Sequence, residues 1–299
     1  MKLNCVLLAV AMAAACGPAD ECADDGNFGT DLTLRSDGFH WEYVDTFNCI
    51  PGTVCPLKER VVPYDQNPFG SCVSIGAILF SGAKVTDEYF PLLEEVGAFS
   101  GFNIFDSVAD EPTEELDGFD TVHRIGGLNH FVRVSGLNSV TEADSIDIPI
   151  IVGLQSLERV SGPLKAHDIS GLVSLQSAES LDLEGTRVDL ISLPSLSSVA
   201  TRITMVGAPF VRRISLPRLE SVGDELTIQG AASLEAIEDT AANGLRIHGS
   251  LFIDTNAPIE DVDVFDWIAR NSVSVDGRLS VCRNGVEPTM ECTLEGEEP

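Results

Sequence analysis

The chain has little positive charge. It contains 18 Lys and Arg residues against 47 Asp and Glu residues, which gives a formal net charge of −29. Proteins that wrap nucleic acid neutralise phosphates mainly with Lys and Arg, and anionic membrane surfaces attract the same residues. The composition therefore excludes nucleic acid and anionic lipid surfaces as partners.

Long hydrophobic runs are absent after the first 16 residues. The run "LNCVLLAVAMAAAC" follows Met1 and Lys2. It is too short to span a bilayer as a mature helix and has the length of an export signal. The small residues directly before Cys16 resemble the bacterial lipobox, which implies a signal peptide over 1–16 and lipidation of Cys16. An ordinary cleaved signal peptide is the alternative.

The residues after Cys16 extend this resemblance. Gly17 and Pro18 stand where an Asp would imply retention in the inner membrane. We therefore expect a lipid-anchored protein of the bacterial cell envelope, in the outer membrane or at the cell surface. Its only membrane attachment would be the N-terminal lipid.

Cysteine is missing from residues 73–281. Neither the CxxC pairs nor the interleaved histidines of a zinc site occur, so we expect no metal. The six cysteines beyond Cys16 form an even number, and an exported chain can keep disulfides. The disulfide candidates are Cys22, Cys49, Cys55, Cys72, Cys282 and Cys292.

Recognisable catalytic motifs are lacking as well. No G-x-S-x-G, H-E-x-x-H, Walker or G-x-G-x-x-G pattern occurs. Ser81 and Lys84 match S-x-x-K, but that short pattern arises easily by chance and its companion motifs are absent. We therefore predict no catalytic residue, no cofactor and no enzymatic activity.

One segment concentrates negative charge. Residues 106–120 read "DSVADEPTEELDGFD". The spacing of an EF-hand is absent, so a solvated acidic loop is the simpler interpretation, and binding of a divalent cation is the alternative.

The middle of the chain repeats one phrase. "FPLLEEVG" at 90–97 returns as "LPRLESVG" at 216–223. Related phrases carry three apolar anchors each: Leu154, Leu157 and Val160; Leu172, Leu175 and Ala178; Leu193, Leu196 and Val199. The third anchors recur every 18 to 23 residues, a period typical of stacked coils. Gly97, Gly185, Gly207, Gly223 and Gly230 are expected at the corners between coils.

A short alternating run follows each phrase. Two apolar residues at a spacing of two point to one face of an extended segment. The predicted interior pairs are Ile146 and Ile148, Leu181 and Leu183, Ile203 and Met205, Leu226 and Ile228, Leu251 and Ile253, and Leu279 and Val281. One pair per coil would line a continuous interior, because neighbouring coils bury each other's apolar side.

These phrases resemble a known family. A leucine-rich repeat would place Asn after L-x-x-L-x-L, and that position is not consistently Asn here. The pattern "LPxLxSV" followed by "LTIQG", closing with "FDWIARNSVSVDGRLSVCRNG", is similar to the receptor L domain of insulin and epidermal growth factor receptors. This resemblance implies a mainly β, right-handed β-helix or leucine-rich solenoid over 73–285. It also implies that cysteines, here Cys282 and Cys292, close the end.

Two further segments complete the predicted organisation. Residues 17–72 show no repeat phrase and are predicted to form a small disulfide-rich N-terminal cap, with a separate binding domain as the alternative. Residues 286–299 form an acidic C-terminal tail that contains Cys292.

The predicted function is non-catalytic binding or adhesion. The L-domain resemblance implies a module that presents its surface to protein partners, and a surface glycan is the other partner considered. Outward positions on the strands form the candidate binding face: Arg133, Asp147, Asp182, Thr204, Thr227 and Phe252. A β-helix enzyme acting on carbohydrate and a structural envelope protein without a ligand remain the alternatives.

Overall fold

The structure, a computed structural model, is mainly β with little helix. It describes residues 30–36, 40–50, 53–54, 58–63, 74–80, 93–100 and 113–285. Contacts divide the chain into two units, Met1–Ala143 and Asp144–Pro299, which are described in turn. Cys16 and residues 286–299 lie outside the described residues, as do Cys22, Cys55 and Cys72.

The first unit combines antiparallel and parallel strands. Strand β2 is antiparallel to β1, β3 and β4, whereas β5 is parallel to both β1 and β6, β6 is parallel to β8, and β7 is parallel to β9. The strands are β1 (Thr30–Ser36), β2 (His40–Ile50), β3 (Thr53–Val54), β4 (Lys58–Pro63), β5 (Ser74–Phe80), β6 (Glu95–Ser100), β7 (Thr113–Leu116), β8 (Arg124–Asn129) and β9 (Phe131–Val134).

The β1–β5 pairing links the two kinds of sheet. β1 lies in the region predicted as a cap and β5 lies in the region predicted to repeat, yet they share a parallel ladder. The predicted boundary between residues 72 and 73 stays a prediction. In the apolar core of this unit, Leu93 and Val96 of the first phrase are buried, and the rings of Phe99 and Phe119 pack edge to face at 5.2 Å.

The second unit consists of parallel strands and one described helix, α1 (Asp261–Arg270). Its first strand, β10 (Glu142–Asp147), begins just before the boundary. The others are β11 (Ile150–Ile151), β12 (Arg159–Lys165), β13 (Ser177–Asp182), β14 (Leu190–Ser192), β15 (Ser198–Val199), β16 (Arg202–Val206), β17 (Arg213–Ser215), β18 (Ser221–Val222), β19 (Glu225–Gln229), β20 (Ala236–Ile237), β21 (Arg246–Ile247), β22 (Ser250–Asp254), β23 (Ser274–Val275) and β24 (Leu279–Cys282).

The predicted anchors are register partners in this unit. Val160, Ala178, Val199 and Val222 pair in succession, and Ile247 and Val275 continue the same row. All but Val275 are buried. The register predicted from the repeated phrase is therefore confirmed, since each anchor fills the position directly beside its equivalent in the next repeat.

The alternating pairs form two further buried rows. Leu181, Ile203, Leu226 and Leu251 are partners in one row, and Met205, Ile228 and Ile253 are partners in the other. Leu279 departs from the expected burial. It pairs with Leu251 but is 41% exposed, and Val281, the other member of that predicted pair, is half-buried.

The repeats differ in length while their register is kept. Successive partners in the anchor row are 18, 21, 23, 25 and 28 residues apart, from Val160 to Val275. The longest interval, between Ile247 and Val275, contains α1. The added residues therefore lie between the paired strands and leave the ladders unchanged.

Helix α1 packs through one face. Its first turn is held by the backbone N–H of Glu260, which donates to Oδ2 of Asp263 at 3.1 Å. Val264 and Trp267, three residues apart, are buried on the same side of the helix. The indole N–H of Trp267 donates to the carbonyl oxygen of Glu238 at 3.0 Å, which fixes the helix against the neighbouring repeat.

Glycine permits close approach at one corner of the repeats. A Cβ added to Gly223 would overlap the carbonyl oxygen of Ala200 in the preceding repeat. The predicted corner Gly207 differs, because it has a positive φ of 64° with open space around it. The two glycines therefore serve separate needs, steric clearance and left-handed backbone.

The residue type at a second corner changes from one repeat to another along the unit. Ala208 and Ala231 fill it in two middle repeats, and Asn256 and Asn284 fill it in the last two; all four are buried. Nδ2 of Asn256 donates to the carbonyl oxygen of Ile228 and to Oδ1 of Asn284, both at 3.0 Å. Oδ1 of Asn256 accepts from the backbone N–H of Ala231 at 3.0 Å. Buried amides thus join three successive repeats here.

Candidate binding surfaces

Four of the six predicted face residues lie in one row of the second unit. Asp182, Thr204, Thr227 and Phe252 are register partners on successive strands. Together with the partners at either end they form the central row, which comprises Lys165, Asp182, Thr204, Thr227, Phe252 and Ser280. Adjacent members are separated by about 4.8 Å, the spacing between neighbouring strands.

Accessibility varies along the central row. Asp182, Thr204 and Phe252 are half-buried, whereas Thr227 is 9% exposed. The hydroxyl of Thr227 donates to Oε1 of Glu225 at 2.7 Å. Thr227 therefore offers little surface to a ligand, and its register partners Thr204 and Phe252 are more accessible.

The aromatic member of the row has a cationic neighbour. The guanidinium carbon of Arg278 lies 5.6 Å from the centroid of the Phe252 ring, within the range of a cation–π contact. This contact covers part of the ring and gives that end of the row a mixed apolar and cationic character.

Of the remaining two predicted residues, Asp147 continues the central row beside Lys165, because the backbone bond that follows Asp147 repeats the one that follows Lys165, where the N–H of Ala166 donates to the carbonyl oxygen of Asp182. Asp147 is exposed at the end of β10, where the next backbone N–H, that of Ile148, donates to the carbonyl oxygen of Lys165 at 3.0 Å. Arg133 belongs to the first unit, on β9, and its Nε lies 3.2 Å from Oε1 of Glu115. Arg133 is therefore not a member of the central row.

Part of the acidic segment is a strand with protein partners. Glu115 lies on β7, and its Oε1 accepts from the hydroxyl of Ser135 at 2.8 Å. Oδ1 of Asp120 accepts from the backbone N–H of Asn138 at 2.8 Å. These carboxylates connect neighbouring repeats; residues 106–112 lie outside the described residues.

A second surface feature is a groove at the corner between the short and the long strands. It has a volume of about 420 Å³ and crosses five successive repeats, from Arg159 to His248. Ser177, Ser198 and Ser221 are register partners and line it with one hydroxyl per repeat. We call it the serine groove.

The sequence interpretation missed the serine groove, although a signal was present. Each of these serines stands directly before a third anchor, as in "SA" at 177–178 and "SV" at 198–199 and 221–222. A polar residue at a fixed offset from a buried anchor faces outward in every repeat. The groove itself depends on the bend between two strands, which spacing alone does not reveal.

Two carboxyl groups near the last repeats have displaced pKa values. Burial raises the pKa of Asp254, although hydrogen bonds from Ser280 and from the backbone N–H of Cys282 oppose this. The hydrogen bond from Arg246 holds the pKa of Asp276 below its ordinary value. Nδ1 of His248 also lies 3.3 Å from Oδ2 of Asp276, so this carboxylate orients the imidazole at the edge of the groove.

One of the predicted disulfide candidates has a defined state in the structure. Cys282 is disulfide-bonded. Within the described residues, no three His, Cys, Asp or Glu side chains form a group able to hold a metal ion. No helix in this part of the chain is long and apolar enough to cross a bilayer. Ser81 and Lys84 lie outside it.

Comparison with known proteins gives no relatives. No family model matches the chain, and neither a curated protein nor a solved structure matches it significantly.

Proposed function

We propose that the protein is an exported, lipid-anchored recognition module that binds a protein partner without catalysis. In this proposal the second unit is a right-handed β-solenoid similar to a receptor L domain. Its support comes from the consecutive parallel register of equivalent residues over six repeats. The central row is the binding surface.

The observation that carries this proposal is the alignment of the central row. Asp182, Thr204 and Phe252 combine a carboxylate, a hydroxyl and a ring on strands fixed by continuous ladders. Because continuous ladders already hold these strands in place, this surface loses little conformational entropy when a partner binds. The charged and aromatic members supply the orientation and contact area that protein interfaces use.

Site-specific photo-crosslinking tests the surface. A photoreactive amino acid at Thr204 should capture a discrete partner in intact cells. The same residue at Glu235, which lies before β20 and outside the central row, is the matched control. Asp182→Lys should then weaken the captured complex by at least tenfold. Identical capture from both positions, or unchanged affinity in the Asp182 variant, contradicts the proposed surface.

The membrane anchor is tested separately. Each buried methylene of an acyl chain adds about 0.8 kcal/mol of membrane affinity, so lipidated Cys16 would hold the protein in the membrane. We expect Cys16→Ser to move the protein from the detergent phase to the aqueous phase. Mass spectrometry of the mature N-terminus identifies the acyl groups directly, and equal partitioning of the two forms contradicts the anchor.

Disulfides at the ends of the chain belong to the same proposal. We assign Cys292 as the partner of Cys282, and Cys22, Cys49, Cys55 and Cys72 to the N-terminal cap. Peptide mapping without reduction should recover a fragment that joins Cys282 to Cys292. A fragment that joins Cys282 to Cys49 would overturn this assignment.

A further inference from the structure

The serine groove has a row of hydroxyl groups that are not used within the fold. Ser177, Ser198 and Ser221 make no side-chain hydrogen bond among the described residues, whereas the hydroxyls of neighbouring Ser195 and Ser197 donate to the carbonyl oxygens of Val173 and Gln176. Serines of the same repeats thus divide into a structural set and an unengaged set. The unengaged set faces the groove.

The groove is also close to neutral in a strongly acidic protein. Its charged lining residues are Arg159 and Glu179, and His248 stands at one end. Neither Arg159 nor Glu179 forms an ion pair within the described part of the chain. A chain with a net charge of −29 repels anionic ligands generally, so a locally neutral, hydroxyl-lined depression favours an uncharged polar ligand.

The spacing of the hydroxyls indicates which kind of polymer fits. Parallel strands place the three serines about 4.8 Å apart, and five repeats give a groove roughly 19 Å long. The length of one hexose unit in an extended glycan is close to that spacing. An extended peptide repeats every two residues, about 6.6 Å, so its side chains do not match the spacing of about 4.8 Å between the serines.

We infer that the serine groove binds a neutral hexose chain that lies across the repeats, one sugar unit to each repeat. The serine hydroxyls donate to and accept from the sugar hydroxyls. Ala200, which is exposed and lines the groove, offers an apolar contact to the less polar face of the sugar ring.

The ends of the groove fix the direction of the chain. Arg159 donates to ring or hydroxyl oxygens at one end. At the other end, Nδ1 of His248 faces Asp276, which leaves Nε2 to hydrogen-bond with a sugar hydroxyl. This site differs from the central row, although Ser177 and Asp182 lie at opposite ends of the same strand, β13.

Calorimetric titration with defined oligosaccharides tests the inference. The probes are β-1,4-linked glucose and N-acetylglucosamine oligomers and α-1,4-linked glucose oligomers of two to six units, with galacturonic acid hexamers as the anionic comparison. We expect one neutral series to bind, with affinity that rises to about four or five units and is insensitive to salt. Failure of every neutral series at millimolar concentration, or tighter binding of the anionic hexamer, overturns the inference.

Matched substitutions locate the site. Ser177→Ala, Ser198→Ala and Ser221→Ala together should weaken binding at least tenfold. The control is Ser192→Ala with Ser215→Ala, because these serines are also register partners, on β14 and β17, but lie outside the groove. Both variants should melt like the unmodified protein. Equal binding by the two variants places the sugar elsewhere and contradicts the assignment.

Discussion

The middle and the last repeats of the second unit close the same corner in different ways. In the middle repeats the backbone N–H groups of Gly207 and Gly230 donate to carbonyl oxygens of the following repeat, and the adjacent Ala208 and Ala231 fill the corner. In the last repeats the equivalent backbone bond, from the N–H of Thr255 to the carbonyl oxygen of Cys282, is kept, and the amides of Asn256 and Asn284 add hydrogen bonds to backbone carbonyl oxygens. A buried position can therefore be stabilised by close packing or by a complete hydrogen-bond network, and each solution fails in its own way.

Disrupting the packed repeats should have the largest effect. Leu219 is fully buried, so Leu219→Asp would place an unpaired charge among apolar side chains. The cost is several kcal/mol or more, comparable with the whole stability of a domain at about 5 to 15 kcal/mol. We expect loss of the β-type circular dichroism signal. Arg218→Asp, at the exposed neighbouring position, should retain it, and a Leu219 variant that melts normally would refute the repeat register.

Disrupting the amide network should have the next largest effect. Asn256→Ala leaves the N–H of Ala231, the carbonyl of Ile228 and one side of Asn284 without their partners. Each unsatisfied buried group costs about 1 to 3 kcal/mol, so we expect a loss of about 2 to 4 kcal/mol in the free energy of unfolding. Chemical denaturation measures it, with exposed Asn243→Ala as the control. Equal stability of the two variants would show that the network contributes nothing.

A smaller and pH-dependent effect is expected at Asp254. Because burial raises its pKa, the folded state binds a proton more readily than the unfolded state does. Its contribution to stability therefore falls as pH rises from below the ordinary value of 3.8 through the folded pKa. Asp254→Asn keeps an acceptor for Ser280, so it should gain stability relative to the unmodified protein on moving to neutral pH. If the difference in free energy of unfolding between Asp254→Asn and the unmodified protein does not change with pH, this prediction is wrong.

The smallest effect is expected on the exposed surface of the last repeats. Arg246→Gln removes the hydrogen bond that lowers the pKa of Asp276, so NMR titration should show that pKa rising toward its ordinary value. The stability from this pair is present above the unfolded pKa and lost as pH falls, and salt screens it. Arg270→Gln, which removes the pair with Asp239, should leave the titration of Asp276 unchanged. An unchanged Asp276 in the Arg246 variant would contradict the assigned cause.

Much of the second unit could be predicted from the sequence because its interior repeats. Val160, Ala178, Val199 and Val222 were aligned by spacing alone, and the structure pairs them. Buried apolar side chains at a fixed offset leave a strong and local signal. The alternation of Leu226 and Ile228 also indicated which side of the strand faces inward.

Features that depend on distant partners were not predictable in the same way. Asn256 and Asn284 occupy a position that is not consistently Asn, and their importance comes from carbonyl groups 28 and 31 residues away. The antiparallel pairing of β1 and β2 carries no repeat phrase. The predicted binding face included Thr227 as an outward position, but the exposure of Thr227 depends on its neighbours Glu225 and Phe252.

The growing interval between anchors has a consequence for how such a chain can vary. Lengths of 18 to 28 residues are compatible with one register, so an insertion between β20 and β21 need not displace any paired strand. Residues 241–243 in that link are mostly exposed and lie outside regular structure. A short epitope inserted there would be displayed while the ladders persist. Gene duplication followed by uneven lengthening would therefore leave a protein whose repeats look dissimilar in sequence but remain interchangeable in register.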